Sequence, residues 1–197
     1  MKTYLKIPVI ALGLFITEFS FAADLASIET QVVNTKSFKL AIKQGEEEVK
    51  LKLLDQFGQV LYNESIQARA AYKKVFNLST LPTGEYRLEL EYPIKIQVMP
   101  ITVDRGGIEL HQQEVTEMFK PFFRQRDSKI SINMLNTRHN PLKIRVSDDE
   151  GQLVYQEVLD NELLIGKQYD LSQLDPGDYT VNLYSESRVF SHLIMIE

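Results

Sequence analysis

The sequence predicts an all-β chain built as two tandem antiparallel sandwiches of about seven strands each, and three observations support this. An eleven-residue stretch occurs twice. Phe76-Asn-Leu-Ser-Thr-Leu-Pro-Thr-Gly-Glu-Tyr86 is answered 93 residues later by Tyr169-Asp-Leu-Ser-Gln-Leu-Asp-Pro-Gly-Asp-Tyr179. The same offset then holds over a stretch of about forty residues, as duplication of one unit requires. Finally, short runs of alternating apolar and polar residues recur every roughly 8 to 12 residues with turn signals between them.

Within the repeated stretch, Leu78, Ser79, Leu81, Gly84 and Tyr86 return as Leu171, Ser172, Leu174, Gly177 and Tyr179. Leu78 closes one strand, Leu81 turns inward, Pro82-Thr83-Gly84 makes a corner, and Tyr86 opens an alternating run to Leu90. Gly84 and Gly177 are expected at positive φ, which costs glycine no steric strain. A tyrosine two residues after such a corner needs a partner for its hydroxyl, and corner carbonyls supply one. The stretch resembles the tyrosine corner of immunoglobulin-like and fibronectin type III sandwiches. It also resembles the Leu-x-x-Leu-x-x-Gly-x-Tyr element of sandwich modules in secreted Bacteroidetes proteins, type IX sorting domains among them. The resemblance implies an immunoglobulin-like fold and export. One departure is the ending Leu193-Ile-Met-Ile-Glu197, where such sorting domains usually carry a basic residue.

Taken in order, residues 1–22 read as a secretory signal peptide. Lys2 and Lys6 precede the apolar run Ile7 to Ile16, and Ser20-Phe21-Ala22 offers a cleavage site. Its removal leaves Lys plus Arg at 20 and Asp plus Glu at 26, a net charge of −6. Mild acidity argues against a general nucleic-acid binder. No later run approaches a membrane span, so the processed chain is not expected to cross a bilayer. The chain has no cysteine, so its cores alone must stabilise it.

Residues 23–105 are expected to form the first sandwich. Its strands are Phe38–Ile42, Val49–Leu53, Val60–Tyr62, Tyr72–Leu78, Tyr86–Glu91 and Ile94–Val103, with a weakly defined one near Ile28–Val33. A turn at Glu46-Glu47-Glu48 separates the first pair, and Asp55-Gln-Phe-Gly58 is a hairpin needing a left-handed glycine. Pro93 and Pro100 suggest that the last strand lies at a sheet edge, since proline donates nothing to a ladder.

Residues 106–197 are expected to repeat this plan. Leu142–Val146 answers Val49–Leu53, Asp148-Asp-Glu-Gly151 answers Asp55–Gly58, Leu153–Tyr155 answers Val60–Tyr62, and Thr180–Tyr184 answers Arg87–Glu91. Arg105-Gly106-Gly107 reads as the inter-domain hinge. Glu114 to Lys120 fits either a helical turn or the start of a strand. Residues 108–126 are expected as the entry strand of the second sandwich, with Phe122 or Phe123 in its core. The competing reading makes Lys120, Phe122, Phe123, Arg124 and Arg126 an exposed partner-binding patch, because Phe and Arg are enriched at interface hot spots.

Chemistry is sparse. His111, His139 and His192 lie far apart and show no metal-ligand spacing. No nucleophile elbow or phosphate loop is present. The acidic turns lack the alternating ligands of a calcium loop and read as solvated hairpin tips. No catalytic residue, cofactor or metal is therefore expected. The sequence points to an exported, non-enzymatic module that engages an envelope or extracellular protein through loops or an edge strand. Its location is expected to be periplasmic, secreted or at the cell surface. A carbohydrate-binding accessory module, with a glycan as ligand, is the alternative, and a hydrolase with an inter-domain site ranks below both.

Overall fold

The computed structural model describes residues 28–42, 47–67, 71–185 and 188–197. The expected signal peptide and Glu46 of the first acidic turn lie outside them. Among the described residues the regular structure is β-strand throughout, apart from one 3-10 turn at Gln112–Glu114. The chain divides into two compact units, changing over between Met118 and Phe119.

The first unit contains β1 (Ile28–Asn34), β2 (Ser37–Ile42), β3 (Val49–Asp55), β4 (Val60–Ile66), β5 (Tyr72–Asn77), β6 (Gly84–Glu91), β7 (Lys95–Val103), β8 (Ile108–Leu110) and β9 (Thr116–Phe119). One sheet runs β1-β2-β5. The other runs β4-β3-β6-β7-β8, and β9 also pairs with β7. Period-two patterning explains these elements. In β2, Phe38, Leu40 and Ile42 are buried, and in β6 Tyr86, Leu88 and Leu90 are buried. Phe38 stacks on Phe76 with ring centroids 5.1 Å apart, at the centre of a core that includes Leu51, Leu88 and Ile101. Each such side chain contributes about 1.5–3 kcal/mol by leaving water.

The second unit contains β10 (Phe122–Arg126), β11 (Lys129–Leu135), β12 (Leu142–Asp148), β13 (Leu153–Leu159), β14 (Leu164–Asp170), β15 (Gly177–Ser185) and β16 (Arg188–Ile196). Its sheets run β10-β11-β14 and β13-β12-β15-β16. Three strands facing four in this order is the immunoglobulin-like sandwich expected from the sequence. Ile130, Ile132, Leu142, Ile144, Val181 and Leu183 fill the core.

The duplication extends to individual bonds. Gly84 pairs with Val103, and Gly177 with Ile196. The register slips between Leu53 and Leu54, and again between Val146 and Ser147. The Tyr86 hydroxyl donates to the Pro82 carbonyl at 2.8 Å, and the Tyr179 hydroxyl to the Asp175 carbonyl at 2.8 Å. Gly58 and Gly151 take φ of +86° and +79° at the two hairpins. Gly84 and Gly177 are positive too, at +159° and +157°, but at the extended end of that range because each already opens a strand.

Four expectations need correction. The changeover is not at 105/106, because β8 pairs with β7 from Ile101↔Leu110 to Val103↔Ile108 and keeps this segment in the first unit. Gly106-Gly107 is accordingly not an inter-domain hinge. It is the β7–β8 turn, closed by Asp104 N donating to the Gly107 carbonyl at 2.9 Å and Gly107 N to Asp104 Oδ1 at 2.6 Å. Nor is β7 an edge strand. Pro100 is tolerated because it need only accept: His111 N donates to its carbonyl at 3.1 Å where β8 ends. Lastly, residues 108–126 are not one entry strand: they form β8, the 3-10 turn, β9 and β10, and only β10 belongs to the second sandwich.

Candidate functional site

The candidate site is the outward face of β10. The sequence Phe122-Phe-Arg-Gln-Arg126 alternates across an extended backbone, so its two faces carry different residues. A two-residue turn with Asp127 at φ +53° leads into β11 and sets the register Phe122↔Asn133, Arg124↔Ser131 and Arg126↔Lys129. Phe122 is 64% exposed, and Arg124 and Arg126 share its face and are also exposed. Lys129 and Ser131 continue that face, and Asp170 lies beyond Lys129, 3.8 Å from its ammonium. The result is one exposed aromatic ring beside two guanidinium groups, with an ion-paired lysine at the border.

The opposite face of β10 turns towards β16. Phe123 stacks on His192, with centroids 5.1 Å apart and planes 2° from parallel. Gln125 Nε2 donates to the Met195 carbonyl at 2.7 Å. The five residues singled out from the sequence are therefore divided. Phe122, Arg124 and Arg126 come together, Phe123 is half-buried in a packing contact, and Lys120 is half-buried ahead of the strand.

The first unit provides an internal control. The register places Glu29 opposite Ala41 and Gln31 opposite Lys39, as Phe122 lies opposite Asn133 and Arg124 opposite Ser131. Asn34, which follows a register shift after Val32 that β10 lacks, lies opposite Ser37 as Arg126 lies opposite Lys129. The same sandwich thus folds with Glu, Gln and Asn where the second unit has Phe, Arg and Arg. The fold does not require an aromatic and basic face there.

Other polar groups have structural duties, which the repeat also reveals. Glu64 accepts from Tyr62, from Tyr72 at 2.7 Å and from Lys74 at 3.1 Å. Hydrogen bonds from Tyr62, Tyr72 and Lys74 hold its carboxyl down at about 2. Glu157 is the counterpart, accepting from Tyr169 at 2.6 Å and Lys167 at 3.2 Å. Burial, and then the bond to Glu157, push the Tyr169 hydroxyl well above its ordinary range. These clusters tie β4 to β5 and β13 to β14. In the hairpins, Asp55 Oδ1 accepts from Phe57 N and Gln59 N at 2.9 and 2.8 Å, and Asp148 Oδ1 from Gln152 N at 2.7 Å. Both carboxylates serve the turn.

The histidines are separately engaged. His111 Nε2 lies 2.9 Å from Thr102 Oγ1, and His139 Nδ1 lies 3.2 Å from the Asn161 carbonyl. Among the described residues no three His, Asp or Glu side chains are placed to hold a metal ion. Sequence reading missed Asn136, which is buried and donates to the carbonyls of Asn140 and Glu162 at 2.9 and 3.0 Å, binding two loops together. An asparagine after a strand reads only as a turn former. Its burial depends on a loop 26 residues away.

Residues 126–197 match the family described as the secretion system C-terminal sorting domain. The match begins on the last residue of β10, spans β11 to β16 and runs to Glu197. Among the described residues no helix is long and apolar enough to cross a membrane. No curated protein matches the chain. Similar solved structures include the BSP domain of a biofilm associated protein, at 10% identity and TM-score 0.28, covering 83% of this chain and 27% of that one. Another is the chicken CNTN1 FN1–FN3 domains, at 10% identity and TM-score 0.28, covering 87% and 66%. The native alpha-2-macroglobulin of Escherichia coli spanning domains NIE–MG1 aligns at 8% identity and TM-score 0.27, covering 81% and 88%.

Proposed function

We propose that this chain is an exported, non-enzymatic binding module whose sorting-type second sandwich engages an envelope or extracellular protein at or outside the cell surface. The observation that carries the reading is the substitution of Phe122, Arg124 and Arg126 for Glu29, Gln31 and Asn34 at matched registers of one fold. A large exposed ring beside two guanidinium groups has the composition of an interface hot spot. It suits a protein surface that offers an apolar pocket rimmed by carboxylates. A carbohydrate ligand is less well served, because Tyr86, Tyr179 and Tyr169 are buried and Tyr62 and Tyr155 are held in the carboxylate clusters.

Immobilised full chain, titrated with detergent-solubilised envelope from its own host, tests this. A single protein is expected to bind saturably to wild type and to lose at least about tenfold in affinity to Phe122→Ala, in line with a hot-spot residue. Salt-sensitive binding of many proteins, equally strong to the variant, would reject the reading. Protease treatment of intact cells tests the location, and the chain is expected to be degraded from outside.

A further inference from the structure

The two units differ at one strand edge. In the first unit the outer edge of β7 is covered. β8 pairs with Ile101 to Val103, and β9 pairs with β7 further along, where Lys95 Nζ and Gln97 Nε2 each lie 2.6 Å from Glu117 Oε1. The covering residues Ile108 and Leu110 pack against the core. The counterpart of β7 is β16, related by the same offset of 93 through Gly84↔Val103 and Gly177↔Ile196. Among the described residues β16 has one neighbour, β15.

Backbone direction follows from the same equivalence. Pro100 turns its carbonyl outward to His111 N, and its counterpart is Leu193. Thr102 pairs with Glu109 of β8, and its counterpart Met195 offers its carbonyl to the Gln125 side chain. Gln125 thus occupies with a side-chain amide the place that the β8 backbone holds in the first unit. Val189, Leu193 and Met195 are 52%, 67% and 60% exposed along this edge, a long apolar border of the kind that single sheets normally protect. Arg188 stands where Lys95 binds Glu117.

We propose that the outer edge of β16 receives an extended segment of a partner protein by strand addition. The segment has apolar residues at alternate positions and an acidic residue facing Arg188. The template is the chain's own cover: Ile108-Glu-Leu-His-Gln-Gln-Glu-Val-Thr-Glu-Met118 contains apolar and acidic residues and neither Lys nor Arg. Main-chain hydrogen bonds supply affinity in this mode and alternate side chains supply selectivity. On docking, the segment displaces the Gln125 amide from the Met195 carbonyl. This inference rests on the binding reading above, yet the two fail separately, because a partner captured through Phe122 with nothing added at β16 leaves the first intact.

The test uses the full chain and a fluorescein-labelled peptide of residues 107–119. Saturable anisotropy is expected, with slowed hydrogen exchange at residues 189–195 in wild type. Leu193→Pro removes one outward donor while copying a proline that β7 already tolerates, and is expected to weaken binding about twofold to tenfold. Arg188→Glu is expected to weaken it by a similar factor. No saturable binding at millimolar peptide, or binding indifferent to both variants, overturns the proposal. So does a concentration-dependent dimer abolished by Leu193→Pro, which would assign the edge to a second copy.

Discussion

Tyr86 and Tyr179 show how much a single hydroxyl does in this fold. Each ring is buried, and each hydroxyl meets a carbonyl four residues back at 2.8 Å, so the corner is held by one bond that phenylalanine cannot make. Tyr86→Phe and Tyr179→Phe are each expected to cost about 1 kcal/mol, read as a lower denaturation midpoint with little change in slope. Glu64 gives a pH-dependent counterpart. Its folded pKa lies near 2 against an ordinary 4.5, so its contribution is fully present above about pH 4.5 and is lost as pH falls towards 2. Wild type is therefore expected to lose more stability than Glu64→Gln between about pH 6 and pH 3. The side chain is 36% exposed, so added salt should shrink the difference. The corner bond was legible in the sequence, because a tyrosine two residues past a glycine corner has few other partners. The Glu64 cluster was not, since Tyr62, Glu64 and Lys74 meet only when β4 and β5 are brought together from opposite sheets.

At the scale of elements, local signals located strands well and misjudged their partners. Alternation picked out every strand from β2 to β7. The hairpin glycines Gly58 and Gly151 were read from turn chemistry and lie at φ +86° and +79°. A side chain is disfavoured there, so Gly58→Ala and Gly151→Ala are each expected to destabilise by about 1–2 kcal/mol. Gly166→Ala is the control. Its added Cβ would meet nothing closer than Asn133 Oδ1 at 3.9 Å, and the midpoint should barely move. Pro100 misled because a proline reports only that one donor is missing. Whether the strand is an edge depends on what pairs with its remaining carbonyl, and here His111 supplies that pairing. Gly106-Gly107 misled likewise, since a glycine pair marks a bend without saying whether it joins strands or domains.

For the whole molecule, duplication is the most informative property, because it separates what the fold needs from what it does not. Positions that agree between the units are core, as Leu78 with Leu171, or turn and corner residues, as Gly58 with Gly151. Leu78 and Leu171 are 2% and 1% exposed, and Leu171→Ala is expected to cost about 2–5 kcal/mol on thermal or chemical denaturation. Positions that differ at matched registers are free for function, as on the β10 face, and an element present in one unit alone, as at the β7 and β16 edges, is likewise not required by the sandwich. Phe122→Ala should leave stability within about 0.5 kcal/mol of wild type. The patch at 120–126 was visible in the sequence as composition, but its division was not. Which phenylalanine faces solvent is set by the register of β10 on β11, and a one-residue slip would exchange them.

Binding through the β10 face is tested by photo-cross-linking in living cells of the native host, from position 122 of the full chain, with Gln156 on β13 as an exposed control site. One recurrent envelope or extracellular protein is expected at position 122, absent from the control and lost with Arg124→Glu and Arg126→Glu together. Diffuse adducts shared by both positions, or the same protein retained after both charges are reversed, would contradict it.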